Sequence, residues 1–310
     1  LKATRKTSCC MQGSGVIQLE GPLVLVCHDA GAANLALSWI EALQLAHPLE
    51  CRAVLQGPAA ALAANFQLDI QTFAETASAL RGASLLISGT GWASVLEHQA
   101  RALAYAGGVH SIAVLDHWVN YRDRFARNGQ VVLPDEIWVA DHDAHTLATR
   151  QFPDVKIVLQ SNLYLQRQLR EIGPPPTIGE VLYLLEPARS DWGRQIPGEF
   201  QALDYFMQHS SRAGIPVGTP VRLRPHPSDA PGKYDRWLRK HTGAATLAPP
   251  TPLAADLNRA TWVAGCETAA LAIAIAAGRR TVCTLPPWAP PCRLPQQELV
   301  HLQKLVPATR

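Results

Sequence analysis

The sequence predicts an α/β protein of two similar halves, each a parallel sheet with helices on both faces, set about a cleft. Three observations carry this reading. Short apolar runs alternate with Ala-rich or amphipathic helical segments from residue 22 onward, the pattern of strands buried on both faces. The alternation breaks at Gly173-Pro-Pro-Pro-Thr177 and then restarts; three successive prolines suit neither a helix nor a central strand and make a semi-rigid linker. A chain of 310 residues is also longer than one typical core.

In the first half, strands are expected at 22–27, 51–55, 83–88, 110–115, 136–140 and 155–159. Helices are expected near 33–45, 58–65, 94–106, 143–151 and 164–172. In the second half, strands fall at 180–185, 219–224, 261–265 and 280–284, with helices near 197–213, 232–241, 252–258 and 268–277. The Pro-rich stretch 285–295 reads as a loop before a final helix over 296–304. The domain reading is therefore an extension over 1–20, Rossmann-like domains over 21–172 and 178–295, and a C-terminal segment, 296–310, that returns to pack on the first domain. Such sheets bind ligands at the carboxyl ends of their strands.

Composition excludes whole classes. Hydrophobic residues at 47% and charged residues at 17% describe a compact chain rather than a disordered one. No apolar run reaches the length of a membrane span. Residues 1–10 are basic but lack the apolar core of a secretory signal. With Leu1 first and Met11 the first methionine, they read as a tag remnant or an alternative start. Seven cysteines without CxxC spacing argue against a zinc site or disulfide framework and for a reducing, cytoplasmic setting. The basic N-terminus and Trp288 in its Pro-rich loop allow a peripheral contact with the inner membrane. Residues 1–172 carry 13 basic and 15 acidic side chains, and residues 173–310 carry 15 and 10. The second half is thus the one to search for an anionic ligand. No Lys/Arg cluster is interleaved with aromatics, so nucleic acid is not expected.

Two strand exits in the second half stand out. Arg222-Leu-Arg-Pro-His-Pro-Ser228 puts Arg222 and Arg224 on one face of a strand and His226 just beyond it. Pro225 and Pro227 stiffen the loop and fix where the imidazole projects, either onto a phosphate oxygen or simply into solvent. Gly265-Cys266-Glu267-Thr268 leaves a buried strand and opens an Ala/Ile-rich helix, whose first amides and Thr268 hydroxyl suit a phosphate. Glu267 suits ribose hydroxyls, or complements its own helix dipole.

The first half offers candidates for proton transfer. His28-Asp29-Ala30-Gly31 leaves the first strand, and Asp29 reads either as a general base or as a helix N-cap. Ser88-Gly89-Thr90-Gly91-Trp92, with Glu97 beyond it, reads as an anion or sugar cradle or as a tight turn. Asp116-His117-Trp118-Val119-Asn120-Tyr121-Arg122 gathers polar and aromatic groups that need partners if buried, with Asp116 or His117 as the rival base. Asp141-His142-Asp143-Ala144-His145 looks metal-like, but Asp141 is a routine cap and no third ligand is in sequence reach, so no metal is expected there.

Arg-Pro-His-Pro, followed some forty residues later by a strand, a Gly-Cys-Glu-Thr turn and an Ala-rich helix, resembles the C-terminal half of GT-B glycosyltransferases of bacterial surface polysaccharides. Sialyltransferases, Kdo transferases of capsule systems and CDP-glycerol polymerases are among them. The resemblance covers about a hundred residues and implies a GT-B fold with an acceptor-side first domain and a nucleotide-side second domain. It implies that His226 assists departure of the nucleotide, that Thr268 holds its phosphate and that Glu267 holds its ribose, with Arg224 and Gly265 beside them. Cys266-Glu267-Thr268 departs from the Ser-Ser pair of many sialyltransferases. The implied activity is inverting transfer of a sugar, leaning to CMP-nonulosonic acid or Kdo, from a nucleotide-sugar donor to a glycan or glycolipid acceptor of a capsule or lipopolysaccharide, with no cofactor. A non-hydrolysing sugar-nucleotide epimerase and a non-catalytic sugar-nucleotide-binding subunit are the alternatives.

Overall fold

A computed structural model describes residues 21–91, 93–187, 190–227 and 229–307, together with a short antiparallel ribbon of Thr7–Cys9 and Ile17–Leu19. The rest of the 1–20 extension, Trp92 and Ser228 lie outside the described residues. The chain is α/β and divides into two compact units, Leu1–Tyr164 and Leu165–Arg310. That division falls within the first turn of the helix Leu163–Glu171, several residues ahead of the triple proline.

The first unit holds a seven-stranded parallel sheet. Its strands are β1 (Leu23–Cys27), β2 (Cys51–Leu55), β3 (Ile70–Thr72), β4 (Leu85–Ser88), β5 (His110–Val114), β6 (Glu136–Val139) and β7 (Lys156–Leu159). Their spatial order is β7-β6-β5-β4-β1-β2-β3. The apolar run 23–27 is buried along its whole length because it is central and covered on both faces. Helix α1 (Ala30–Ala46) follows it and stops at His47, before Pro48. On α1, Trp39 meets Trp138 of β6 edge-on at 5.6 Å, a contact worth about 1 kcal/mol beyond its buried area. It seats the helix on one face of the sheet. Helix α2 (Leu96–Gly107) covers the other face and ends on Gly108, whose φ of 66° supplies the left-handed cap that closes the last turn.

The second unit repeats the plan with six parallel strands. They are β8 (Glu180–Leu184), β9 (Val221–Arg224), β10 (Thr246–Leu247), β11 (Ala260–Gly265), β12 (Arg280–Cys283) and β13 (Val300–His301), in the order β10-β9-β8-β11-β12-β13. Both sheets follow the 3-2-1-4-5-6 winding of doubly wound folds, the first with one strand added at its end. The two sheets and their helices make the fold GT-B-like.

Three edge strands, β3, β10 and β13, were not expected from the sequence. They are two or three residues long and mostly exposed, so they carry no apolar run to announce them. The C-terminal segment corrects the expected helix over 296–304. It instead adds β13 beside β12, followed by a single helical turn, Leu302–Leu305, with Leu302 buried in the core of the second unit. No helix among the described residues is long and apolar enough to cross a membrane.

Candidate functional site

In each sheet the strand order reverses beside the first strand, and a crevice opens where neighbouring loops part in opposite directions. In the first unit this lies between β1 and β4, and the residues leaving those strands are His28-Asp29 and Gly89-Thr90-Gly91. Asp29 occupies the N-cap position of α1, yet its side chain makes no capping bond. It pairs instead with His28 Nδ1 at 2.7 Å. A Cβ placed on Gly91 would come within 2.0 Å of Asp29 Oδ2. The glycine at the exit of β4 is therefore what lets the carboxylate lie there.

Asp116 follows β5, the next strand along. Its Oδ1 accepts from Arg124 Nη1 at 2.9 Å, and a Cβ on Gly31 would fall 1.7 Å from its Oδ2. The exits of β1, β4 and β5 thus bring Asp29, Asp116 and the first turn of α1 together. One oxygen of Asp116 is committed to a buried guanidinium, whereas Asp29 faces an imidazole.

Beneath the crevice lies a buried pair of opposite charges, Glu97 and Arg101, one helical turn apart on α2. The His28 amide donates to Glu97 Oε1 at 2.8 Å, and Oε2 is buried with no hydrogen-bond partner. Desolvation raises the Glu97 pKa, opposed by the amide of His28, while Asp29 raises it further. Arg101 donates to Ser88 Oγ and to the carbonyls of Gly89 and Val132. Burial pulls it down to about 10, with Glu97 holding it up. These two charges tie α2 to both strand exits.

The polar loop after β5 is explained largely by its own bonds. Trp118 Nε1 donates to both oxygens of Asp141, and its amide donates to His117 Nδ1 at 2.9 Å. Asp141 also caps α3 (His142–Gln151) by accepting from the Ala144 amide at 2.7 Å. Asp141, His142 and His145 line an open hollow of about 630 Å³ at the ends of β6 and β7, with Gln160, Ser161 and Asn162 on its other wall.

In the second unit the reversal lies between β8 and β11. Glu186, just past β8, accepts from the Glu267 amide at 2.5 Å. Desolvation pushes Glu186 up to about 7, against the pull of that amide and with help from the Glu267 carboxylate. Glu267 is paired with Arg293 at 2.9 Å. Gly265 ends β11, and Thr268 Oγ1 accepts from the Ala270 amide at 3.3 Å. The helix expected over 268–277 is the shorter Ala270–Ala276.

His226 sits exposed beyond β9, and its backbone amide donates to Asp229 Oδ2 at 2.9 Å. Asp229 also accepts from Lys233 and Tyr234, which pins the turn. Partial desolvation lowers the His226 pKa, against the raising effect of Asp229. Arg222 and Arg224 share a face, as their spacing requires, and both grip Asp256, which is 1% exposed. Arg222 also binds Glu180 at 2.7 Å. Trp288 stacks under Arg194 at 3.7 Å and donates to Gln201, so this ring has partners within its own unit.

Sequence reasoning did not single out Glu186, Arg124 or the bond between Glu97 and His28. Glu186 had a legible signal, an acid directly after the buried run Val-Leu-Tyr-Leu-Leu. Arg124 had none, because its partner Asp116 is chosen by the turn between them.

No protein-family model matches the chain, and no curated protein matches it by sequence. Solved structures do match its fold. The UDP-GlcNAc 2-epimerase of Neisseria meningitidis, solved with UDP-GlcNAc bound, superposes with a TM-score of 0.61 at 10% identity, over 84% of this chain and 82% of that one. The UDP-GlcNAc 2-epimerase of Methanocaldococcus jannaschii gives 0.57 at 9% identity, over 84% and 83%. The glycotransferase of kitacinnamycin gives 0.55 at 13%, over 91% and 85%. At such identities the likeness is one of fold.

Proposed function

We propose that this protein is an enzyme acting on a nucleotide-linked sugar, and that its reaction is inverting transfer of the sugar to a hydroxyl acceptor. The observation that carries the reading is Asp29, hydrogen-bonded to His28 at the strand-reversal crevice of the first sheet instead of capping its helix. In this reading Asp29 takes the acceptor proton and His28 orients it. Asp116 is held by Arg124, and His117 accepts from the Trp118 amide through Nδ1, so both are the weaker candidates. In the second unit His226 and Thr268 contact the nucleotide phosphate, with Gly265 allowing close approach. Glu267 serves the ribose from its pair with Arg293, and Arg224 holds the loop after β9 through Asp256. The solved structures of like fold include an epimerase with UDP-GlcNAc bound and a glycotransferase, which supports the substrate class.

One observation favours a second reading, epimerisation of the sugar nucleotide without an acceptor. Glu186 is a carboxyl pushed up to about 7 at the crevice of the second sheet, and a general acid–base works best near the operating pH. Incubation with CMP-, CDP- and UDP-linked sugars, with and without glycan acceptors, separates the two. Acceptor-dependent release of nucleotide supports transfer, whereas interconversion of the donor alone supports epimerisation. Tight binding without turnover overturns both in favour of a silent binding subunit.

A further inference from the structure

The loop from β12 to β13 carries a cluster that neither reading uses. Among the described residues, Cys283, Cys292 and His301 bring one ligand atom each to within 4.8 Å of one another. Cys283 ends β12 and is 2% exposed; Cys292 and His301 are half-buried, leaving a way in from solvent. The three converge through two separate devices. Parallel pairing sets Cys283 directly beside His301 in register. The intervening loop, stiffened by Pro286, Pro287, Pro290 and Pro291, brings Cys292 back to them. Little chain entropy is left to lose when the three are joined.

Each sulfur also has its own amide donor two residues on. The Leu285 amide serves Cys283 and the Leu294 amide serves Cys292. Backbone amides of this kind are outer partners that orient sulfur ligands.

We propose that Cys283 Sγ, Cys292 Sγ and an imidazole nitrogen of His301 bind a zinc ion. Two thiolates and an imidazole are a soft-to-borderline donor set that suits Zn²⁺. Two thiolate charges against a dication leave the half-buried site neutral, whereas a monovalent ion such as Cu⁺ would leave a net negative charge to desolvate. Binding releases two thiol protons to solvent, and the fourth tetrahedral position goes to water or an exogenous ligand. The ion would fasten the Pro-rich loop to the sheet edge beside Arg293, which holds Glu267 at the crevice of the second unit. The site stands on its own geometry and does not depend on the enzymatic reading.

The test titrates the reduced, folded full chain with Co²⁺ and then Zn²⁺. The expected result is one equivalent of Co²⁺ bound with release of two protons and thiolate-to-metal charge transfer in the near ultraviolet, the Co²⁺ then displaced by Zn²⁺ with no further proton release. Cys292→Ser and His301→Ala, both at half-buried positions, should each weaken the ion by at least the ~10–100-fold that even an outer partner is worth. They should also abolish the metal-induced rise in thermal midpoint. Cys266→Ser, outside the cluster, should bind as the parent does. Absence of charge transfer in the parent chain overturns the proposal. So does an absorption that persists in both variants, or a Cys283–Cys292 pair that forms a disulfide and, once reduced, ignores Co²⁺.

Discussion

The two strand-reversal crevices share one winding but are built with different stakes. The crevice of the first sheet is closely packed. Gly31 and Gly91 admit carboxylates where a methyl group could not fit, and α1 behind them is 17 residues long. Below, a buried Glu97 and Arg101 are each committed to the strand exits. The crevice of the second sheet is looser. A Cβ on Gly265 would meet nothing nearer than the Leu184 carbonyl, at 3.1 Å, its helix has 7 residues, and its charged pair, Glu267 with Arg293, is partly exposed. Each crevice has a carboxyl whose charge the fold resists, Glu97 beneath the first and Glu186, pushed up to about 7, at the second. Identical topology therefore says where a ligand lies, while side-chain packing says which crevice can hold a reacting group still.

Four experiments bear on that contrast. The largest effect is expected at Asp29. Asp29→Asn should lower kcat by about 10²–10⁴-fold with the thermal midpoint unchanged. Asp116→Ala, which takes the carboxylate away from the buried Arg124 and leaves it neutral partners such as Val119 and Thr90, should cost about 3 kcal/mol of stability. A reversal of these two results would move the base to the loop after β5. In the second unit, His226→Ala should reduce kcat about 10²–10³-fold; unaltered kinetics would remove it from the nucleotide site. Gly91→Ala should destabilise the fold by about 1–3 kcal/mol, read from urea unfolding, and Gly265→Ala by the smaller part of that range. Equal costs would erase the difference in packing.

The last test is a pH dependence. The folded state holds the Glu186 proton more tightly than the unfolded chain, with a pKa raised from 4.5 to about 7. Its contribution to stability is therefore fully present below pH 4.5 and is lost as the pH rises through about 7. Relative to wild type, Glu186→Gln should gain thermal stability at pH 8 over pH 5. Parallel midpoints across that range would show that the carboxyl is not desolvated.

Much of this molecule is legible in its sequence. The runs Leu-Val-Leu-Val-Cys and Val-Leu-Tyr-Leu-Leu name central strands because a strand buried on both faces must be apolar throughout. The motifs at their exits follow from the same fact. His28-Asp29, Gly89-Thr90-Gly91 and Gly265-Cys266-Glu267-Thr268 are all found at the carboxyl ends of strands. The edge strands β3, β10 and β13 are not legible. Pairing on one side only imposes no pattern, and Val300–His301 becomes a strand because β12 offers it an open edge.

Partnership between distant residues is the other thing the sequence leaves open. It placed Arg222 and Arg224 on one face, which period-two alternation dictates, but only the folded chain set Asp256 against both. It made Asp29 a cap or a base with equal reason, and the fold paired it with His28. Cysteine spacing argued against a metal site, since ligands far apart in sequence carry no spacing signal. Yet strand register and a proline-stiffened loop bring Cys283, Cys292 and His301 together. Local chemistry determines the elements and their exits, because it acts through neighbouring residues. Which exits and charges meet is decided by how the sheet is wound, and that is a property of the whole chain.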